Sequence, residues 1–219
     1  MKYFKIVYYI SFLFIKYKII RYGKKRYFNL FTYILKKKPT NICEIGVYTG
    51  ERSYELIKLS SLLNNGNTIY YGYDLFEDIS KTMIKEEFSK QPLSKNQVQK
   101  NLNNLNAREI KLIKGNTLST LNNKYNKNYF DMIFIDGGHS INTVDSDFQN
   151  LKEKIRINKS IIFDDFYYNQ DLEKKAGCNF ILKKNISKFK FKILKGVDYH
   201  NNSDYGRFGI SLLEAERIK

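Results

Sequence analysis

From Pro39 onward, short apolar runs alternate with segments whose apolar residues recur at helical spacing, and this alternation restricts the fold more than any other feature of the sequence. A helix is predicted at 52–63, directly after the first strand. Five strands are predicted, at 41–45, 68–73, 110–113, 130–135 and 160–163. Strands that alternate with helices predict an α/β domain in which a mainly parallel sheet is covered by helices on both faces.

Two further segments modify this pattern. The apolar runs 189–195 and 208–213 flank the loop 196–206, so they predict a closing strand pair and one antiparallel strand in the sheet. The segment 81–99 is long for a connector and follows a strand end, where ligands bind in such sheets. We therefore expect it to form a substrate lid or cap.

The first 38 residues have a different composition from the rest. They contain eleven Lys and Arg and no Asp or Glu, which accounts for +11 of the net charge of +16. Their longest uncharged run, 6–15, is too short to span a bilayer, and no small-residue cleavage site follows it. We expect a basic, aromatic helical extension at 1–38 before a domain at 39–219. Two interpretations stay open, helices that pack on the domain and helices that lie in an anionic membrane surface.

The remaining composition limits compartment and partners. The two cysteines, Cys43 and Cys178, are too few for a disulfide framework, which indicates a reducing, cytoplasmic compartment, with peripheral membrane contact through 1–38 left open. Because most of the excess charge lies in the extension, a nucleic-acid partner is not favoured. Self-association into a homo-oligomer is also left open.

The first strand ends in a glycine-containing turn that is a candidate ligand site. Gly46 would allow the chain to turn tightly, and Gly50 would allow a ligand to approach the helix that follows. The spacing differs from the dinucleotide-binding pattern. A tight strand-to-helix turn without a ligand is the alternative.

Residues after the second and third strands fit a nucleoside. Asp74 stands where a carboxylate would hold a ribose diol, although a turn or capping carboxylate is the alternative. Leu75 or Phe76 would pack on an adenine face, and the amide of Asn116 would reach the adenine edge.

Three acidic residues, Asp136, Asp164 and Asp165, follow buried strands. Side chains at neighbouring strand ends meet, and crowded carboxylates repel one another unless they are protonated or neutralised. A hard cation such as Mg²⁺ favours oxygen ligands of this kind. The alternative is that Asp164 and Asp165 cap a helix while Asp136 binds backbone.

These motifs resemble class I S-adenosylmethionine (SAM)-dependent methyltransferases. Residues 44–50 are similar to the first motif of that superfamily, which includes Glu44, and 72–76 and 114–118 are similar to its acidic motif and adenine-contacting turn. Residues 130–140 together with 161–165 resemble the macrocin O-methyltransferase type of small-molecule enzymes. The resemblance covers about 39–215. It implies a Rossmann-like sheet of seven strands with an antiparallel last strand, SAM as donor, and a small-molecule or glycan acceptor.

The same resemblance assigns site residues. It implies that Asp136, Asp164 and Asp165 hold Mg²⁺ and that the cation binds vicinal hydroxyls of the acceptor; we also expect Asp136 to contact the donor. Several related enzymes carry a second acid where this chain has Gly138. We therefore expect His139 to act as general base, or alternatively to bond the loop or the donor carboxylate.

The sequence thus predicts a SAM-dependent O-methyltransferase that acts on a hydroxyl of a small molecule or sugar with the help of a divalent cation. A nucleic-acid or protein methyltransferase is one alternative, but the chain lacks the Asn/Asp-Pro-Pro-aromatic motif of amino-directed enzymes. A non-catalytic membrane-surface protein that keeps the fold is another.

Overall fold

The computed structural model describes Leu13, Tyr17 and the ranges 25–121, 129–184 and 186–219. The helices are α1 (Tyr27–Lys37), α2 (Glu51–Leu63), α3 (Lys81–Glu86), α4 (Lys95–Leu102), α5 (Thr117–Thr120) and α6 (Ile141–Leu151). The strands are β1 (Asn41–Ile45), β2 (Ile69–Asp74), β3 (Glu109–Lys114), β4 (Phe130–Ile135), β5 (Ile155–Tyr167), β6 (Phe189–Ile193), β7 (Asp198–Asn202) and β8 (Gly206–Arg217). Two short 3-10 helices lie at Phe76–Asp78 and Asn179–Lys183.

The strands form one mixed sheet in the order β3-β2-β1-β4-β5-β8-β6, with β7 paired to β8. The pairs among β1 to β5 are parallel, whereas β8 runs antiparallel to β5, β6 and β7. The predicted Rossmann-like α/β fold with an antiparallel last strand is therefore confirmed. Among the described residues the sheet has eight strands rather than seven, because part of the loop predicted at 196–206 pairs with β8 as β7.

The register of the central strands positions the functional residues. Ile45 at the end of β1 lies opposite Tyr73 of β2 and Ile135 of β4, and Ile135 lies opposite Phe163 of β5. These four residues consequently lie at one level of the sheet, although β5 continues beyond this level to Tyr167, so Asp164 and Asp165 lie within β5 rather than after it. The residues that follow, Gly46, Asp74, Asp136 and Asp164, therefore all come to the same edge of the sheet.

Two apolar clusters cover the two faces of the sheet. On one face, Leu30, Phe31 and Ile34 of α1 are completely buried against α2 and the strands. On the other face, Phe148 and Leu151 of α6 pack against β4 and β5. Burying each large apolar side chain contributes about 1.5–3 kcal/mol, so α1 belongs to the core of the domain.

For the described end of the basic extension, packing on the domain is therefore what the structure shows. Residues 1–12, 14–16 and 18–24 lie outside the described residues, so both membrane contact there and the domain boundary at residue 38 stay predictions. Within the part of the chain that the structure describes, no helix combines the length and apolar character needed to cross a bilayer.

Candidate active site

A cavity of about 1400 Å³ opens at the carboxyl ends of the parallel strands. Most of the residues singled out in the sequence line it: Gly46, Asp74, Leu75, Asn116, Asp136, His139 and Asp165. The predicted lid segment, 81–99, also contributes, since residues 83–85, 87–90 and 92 lie along the wall, as does Ile79 just before the segment. The topology thus brings the nucleoside-type residues and the acidic residues to one site.

The glycine turn is shaped by close backbone contacts. Gly46 has φ +87°, and a Cβ atom there would lie 2.0 Å from the carbonyl oxygen of Asp136. Only glycine allows the turn after β1 to pass this close to the turn after β4. Gly50 has φ +78° and packs against Val98 of α4, so its side-chain-free surface serves helix packing and does not line the cavity.

Glu44, expected in the donor site, lies beneath the cavity instead of lining it. It is completely buried, and its Oε2 atom accepts hydrogen bonds from Ser53 at 2.6 Å and from Tyr70. Burial raises the pKa of Glu44 to about 7, although these two hydrogen bonds oppose the shift. Glu44 therefore supports the glycine turn from below.

Asp74 reaches the glycine turn from the end of β2. Its Oδ2 atom accepts the backbone N–H groups of Val47 at 2.7 Å and Tyr48 at 2.8 Å, and its Oδ1 atom accepts that of Phe76 at 2.7 Å. A carboxylate offers about four acceptor positions, so Asp74 keeps room for one further donor from the cavity. Leu75 faces the cavity, whereas Phe76 is buried in the core.

Asn116 begins α5 and caps it. Its Oδ1 atom accepts the N–H of Leu118 at 2.9 Å. This bond orients the side chain and leaves the amide nitrogen as a hydrogen-bond donor at the cavity wall.

Asp136, His139 and Asp165 form a compact trio. One side-chain ligand atom from each lies within 4.8 Å of the others. The Nε2 atom of His139 lies 2.7 Å from Oδ2 of Asp165, and its Nδ1 atom lies 2.8 Å from the carbonyl oxygen of Glu87. Both ring nitrogens therefore face acceptors, which is the arrangement of a doubly protonated imidazolium.

Electrostatics agree with that protonation state. Burial lowers the pKa of His139, but the charge of Asp165, its hydrogen bond and the charge of Asp136 outweigh this and raise the pKa to about 10. For Asp136, burial and repulsion from Asp164 and Asp165 raise the pKa well above its ordinary value. The trio thus holds a strongly bound proton on His139 and a carboxylate that would gain from an added positive charge.

Asp164 is not part of this trio. The Arg26 guanidinium donates to both of its oxygens, Nε to Oδ1 at 2.7 Å and Nη2 to Oδ2 at 3.0 Å, and the Tyr27 hydroxyl donates to Oδ2 at 2.7 Å. Burial raises the pKa of Asp164, but Arg26 and Tyr27 more than offset this and lower it. Arg26 also donates to Asp198 of β7 at 3.0 Å.

Three functional candidates were absent from the sequence predictions. Arg26 and Tyr27 were treated as part of a basic extension, and no local pattern distinguishes them from the other Lys, Arg and Tyr residues there. Glu87 lies in the lid segment and accepts hydrogen bonds from Ser140 and Thr143, which ties the lid to the His139 loop. Only the length of the lid segment indicated such a role.

The strand order, the aligned register of the central parallel strands and the cavity over the glycine turn define the class I SAM-dependent methyltransferase fold. The sequence model of the family described as "Methyltransferase domain" matches residues 43–166, which is more than half of the chain. The chain therefore belongs to this methyltransferase family, and the class predicted from its motifs is confirmed. No curated protein sequence matches the chain significantly.

Solved structures show the same fold at low sequence identity. An O-methyltransferase from Bacillus cereus in complex with S-adenosylhomocysteine (SAH) has a TM-score of 0.55 and 18% identity, covering 86% of this chain and 79% of that one. The O-methyltransferase TomG from Streptomyces achromogenes, in complex with SAM, gives 0.54 and 13%, covering 87% and 78%. An rRNA methylase from Streptococcus thermophilus gives 0.54 and 10%, covering 89% and 98%.

Proposed function

We propose that this methyltransferase transfers a methyl group from SAM to a hydroxyl of a small molecule or sugar, with the help of a divalent cation. The observation that carries the proposal is the convergence of Asp136, His139 and Asp165 at the wall of a cavity that also contains Asp74 and Asn116. A donor site and a centre for activating oxygen then share one cavity.

The donor would lie along the strand ends. The remaining acceptor position of Asp74 suits a ribose hydroxyl, and Leu75 offers an apolar surface to the adenine ring. The amide nitrogen of Asn116 would donate to the adenine edge. Gly46 holds the turn after β1 close against the turn after β4, and the donor would lie along the cavity wall that these turns form.

The trio fits a divalent cation by both geometry and charge. Asp136 and Asp165 supply oxygen atoms and His139 supplies a nitrogen atom, a set that accepts Mg²⁺, Mn²⁺ or a related ion. A cation there would supply Lewis acidity, which lowers the pKa of an acceptor hydroxyl. This ligand set replaces the predicted one, because Arg26 already neutralises Asp164.

The protonation state of His139 changes the role expected for this residue. In the absence of a cation, its proton lies between two acceptors and is retained at neutral pH, so His139 is not the general base. It serves this centre as a fixed positive charge, or as a cation ligand once the cation displaces the proton from Nε2. Asp136 is the better acceptor for the hydroxyl proton. Among the described residues, the only hydrogen bond to its carboxylate is a 3.4 Å contact from the Tyr27 hydroxyl.

The test follows labelled methyl from SAM. Acceptors would be 3,4-dihydroxybenzoate and methyl glucoside as hydroxyl probes and benzylamine as an amine probe, each assayed with Mg²⁺ or EDTA. We expect label on oxygen, loss of transfer in EDTA and loss in Asp165→Asn, with Asp171→Asn as an exposed control. Transfer to the amine alone would contradict the hydroxyl acceptor, and full transfer in EDTA would contradict the cation.

A further inference from the structure

Asp147 is a buried acid that the proposed chemistry does not use. It lies on α6 and is 1% exposed, yet it lines the cavity. Within the described ranges, neither of its carboxylate oxygens has a partner that meets both the distance and the angle of a hydrogen bond, although the Thr117 hydroxyl lies close by. A polar group that is buried without a partner is unfavourable, so a hydrogen-bond donor from the cavity would stabilise this carboxyl group.

The position of Asp147 on α6 gives its place in the cavity. Asn142, Thr143, Ser146 and Asp147 recur at helical spacing and all line the wall, so one face of α6 runs along it. At one end of this face, Thr143 bonds Glu87 beside the His139 loop. At the other end, Asp147 lies next to α5, where the nearby Thr117 hydroxyl follows Asn116.

The hydrogen-bonding chemistry at this end is complementary to adenine. The Watson–Crick edge of adenine presents one acceptor, N1, and one donor, the exocyclic amine. Asn116 offers a donor, since its Oδ1 atom is engaged in capping α5. Asp147 offers two acceptor oxygens, of which the nearby Thr117 hydroxyl can engage at most one, so the two side chains together match both groups of the edge.

We infer that Asp147 accepts a hydrogen bond from the exocyclic amine of the donor's adenine and thereby selects an adenine nucleoside. The inference rests on the proposed donor site. Burial raises the pKa of Asp147 to about 7, the Thr117 hydroxyl opposes this shift, and the Glu87 carboxylate adds to it. In either protonation state a carboxyl oxygen is available to accept from an amine.

Calorimetry on the full chain would compare SAH with S-inosylhomocysteine, in which an oxygen replaces the adenine amine and N1 carries a proton. Wild type should bind SAH at least about tenfold more tightly, because a hydrogen bond to a charged group contributes about 1.5–3 kcal/mol, or roughly 10- to 100-fold. Asp147→Asn should narrow this ratio, since its amide can donate to the inosine oxygen. Asp147→Leu should weaken SAH by about the same factor with little effect on the inosine analogue.

Asp145→Asn provides the matched control. Asp145 lies on the same helix, but it pairs with Lys184 at 2.6 Å and does not line the cavity. The Asp145→Asn variant should show the same ratio of SAH affinity to S-inosylhomocysteine affinity as wild type. If wild type and Asp147→Asn had the same affinity ratio, the role of Asp147 would be overturned while the donor site would stand. If wild type did not bind SAH at all, both the role of Asp147 and the proposed donor site would be overturned. If Asp147→Leu does not fold, the conservative Asn variant still decides the question.

Discussion

Arg26 binds both carboxylate oxygens of Asp164, a residue 138 positions further along the chain. The guanidinium side chain is 11% exposed and the carboxylate 1%, so this is a buried ion pair. It joins the start of α1 to the edge of the sheet where the trio of Asp136, His139 and Asp165 lies. It also explains why three neighbouring acids do not all require a metal for neutralisation.

Breaking this pair should destabilise the protein strongly. Arg26→Met leaves the Asp164 charge buried and unpaired, which costs about 3–5 kcal/mol in the free energy of unfolding. The double variant Arg26→Met with Asp164→Asn should recover a large part of the loss, as measured by urea denaturation. Lys174→Met, which breaks an exposed pair with Asp171, should cost at most about 1 kcal/mol. Equal losses for Arg26→Met and Lys174→Met would contradict the structural role of the pair.

Gly46→Ala should damage the site much more than the same change at Gly206. The added methyl group would have to displace the Asp136 backbone, whose carbonyl oxygen would lie 2.0 Å away, in addition to the strain of a positive φ. At Gly206, where φ is +64°, a Cβ would meet nothing within 4 Å, so only about 1–2 kcal/mol of backbone strain is expected. Thermal unfolding and SAH binding would measure both variants. Normal SAH binding by Gly46→Ala would refute the close approach of the two turns.

Glu44 should make folding stability depend on pH. Its pKa is about 7 in the folded protein against 4.5 ordinarily, so the folded state binds this proton more tightly. The resulting stabilisation is complete below about pH 4.5 and is lost as pH rises to about 7, a change of about 3 kcal/mol. Glu44→Gln has no proton to lose in this range. Its free energy of unfolding should therefore rise relative to that of wild type between about pH 4.5 and pH 7. If the free energies of unfolding of the two proteins changed equally with pH, the raised pKa of Glu44 would be contradicted.

Much of the fold was predictable because its signals are local. The strands at 41–45 and 130–135 were predicted with their observed ends, since each is a compact apolar run. β7 was missed because Asp198–Asn202 is polar and pairs only through its contact with β8. β5 begins at Ile155, five residues before the predicted strand at 160–163, because the residues between Ile155 and Ser160 are mostly polar and give no apolar run.

The site was predictable only to the level of strand ends. The pattern indicated which residues reach the edge of the sheet, and seven of them line the cavity. It could not reveal which partner each residue takes there. Arg26 reaches Asp164 through tertiary packing of α1, and Glu44 points to Ser53 and Tyr70. Contacts between residues so far apart in sequence leave no local periodicity.

Cation binding should strengthen with pH. Below the His139 pKa of about 10, a cation must displace the proton from Nε2. Between about pH 6 and 8 the apparent affinity for Mn²⁺ should therefore rise by about tenfold per unit of pH, as measured by calorimetry in buffers of different ionisation enthalpy. His139→Asn should remove most of this dependence. A wild-type affinity that does not vary with pH would show that His139 is not a ligand.

The central claim is that a divalent cation binds Asp136, His139 and Asp165 at the wall of the donor cavity. The most direct measurement is a Mn²⁺ titration of the SAH-saturated protein, followed by the electron paramagnetic resonance signal of free Mn²⁺. Wild type and Asp164→Asn should each bind one equivalent, whereas Asp136→Asn and Asp165→Asn should bind none in the same range. Absence of Mn²⁺ binding by wild type, or its loss in Asp164→Asn with retention in Asp165→Asn, would contradict the account.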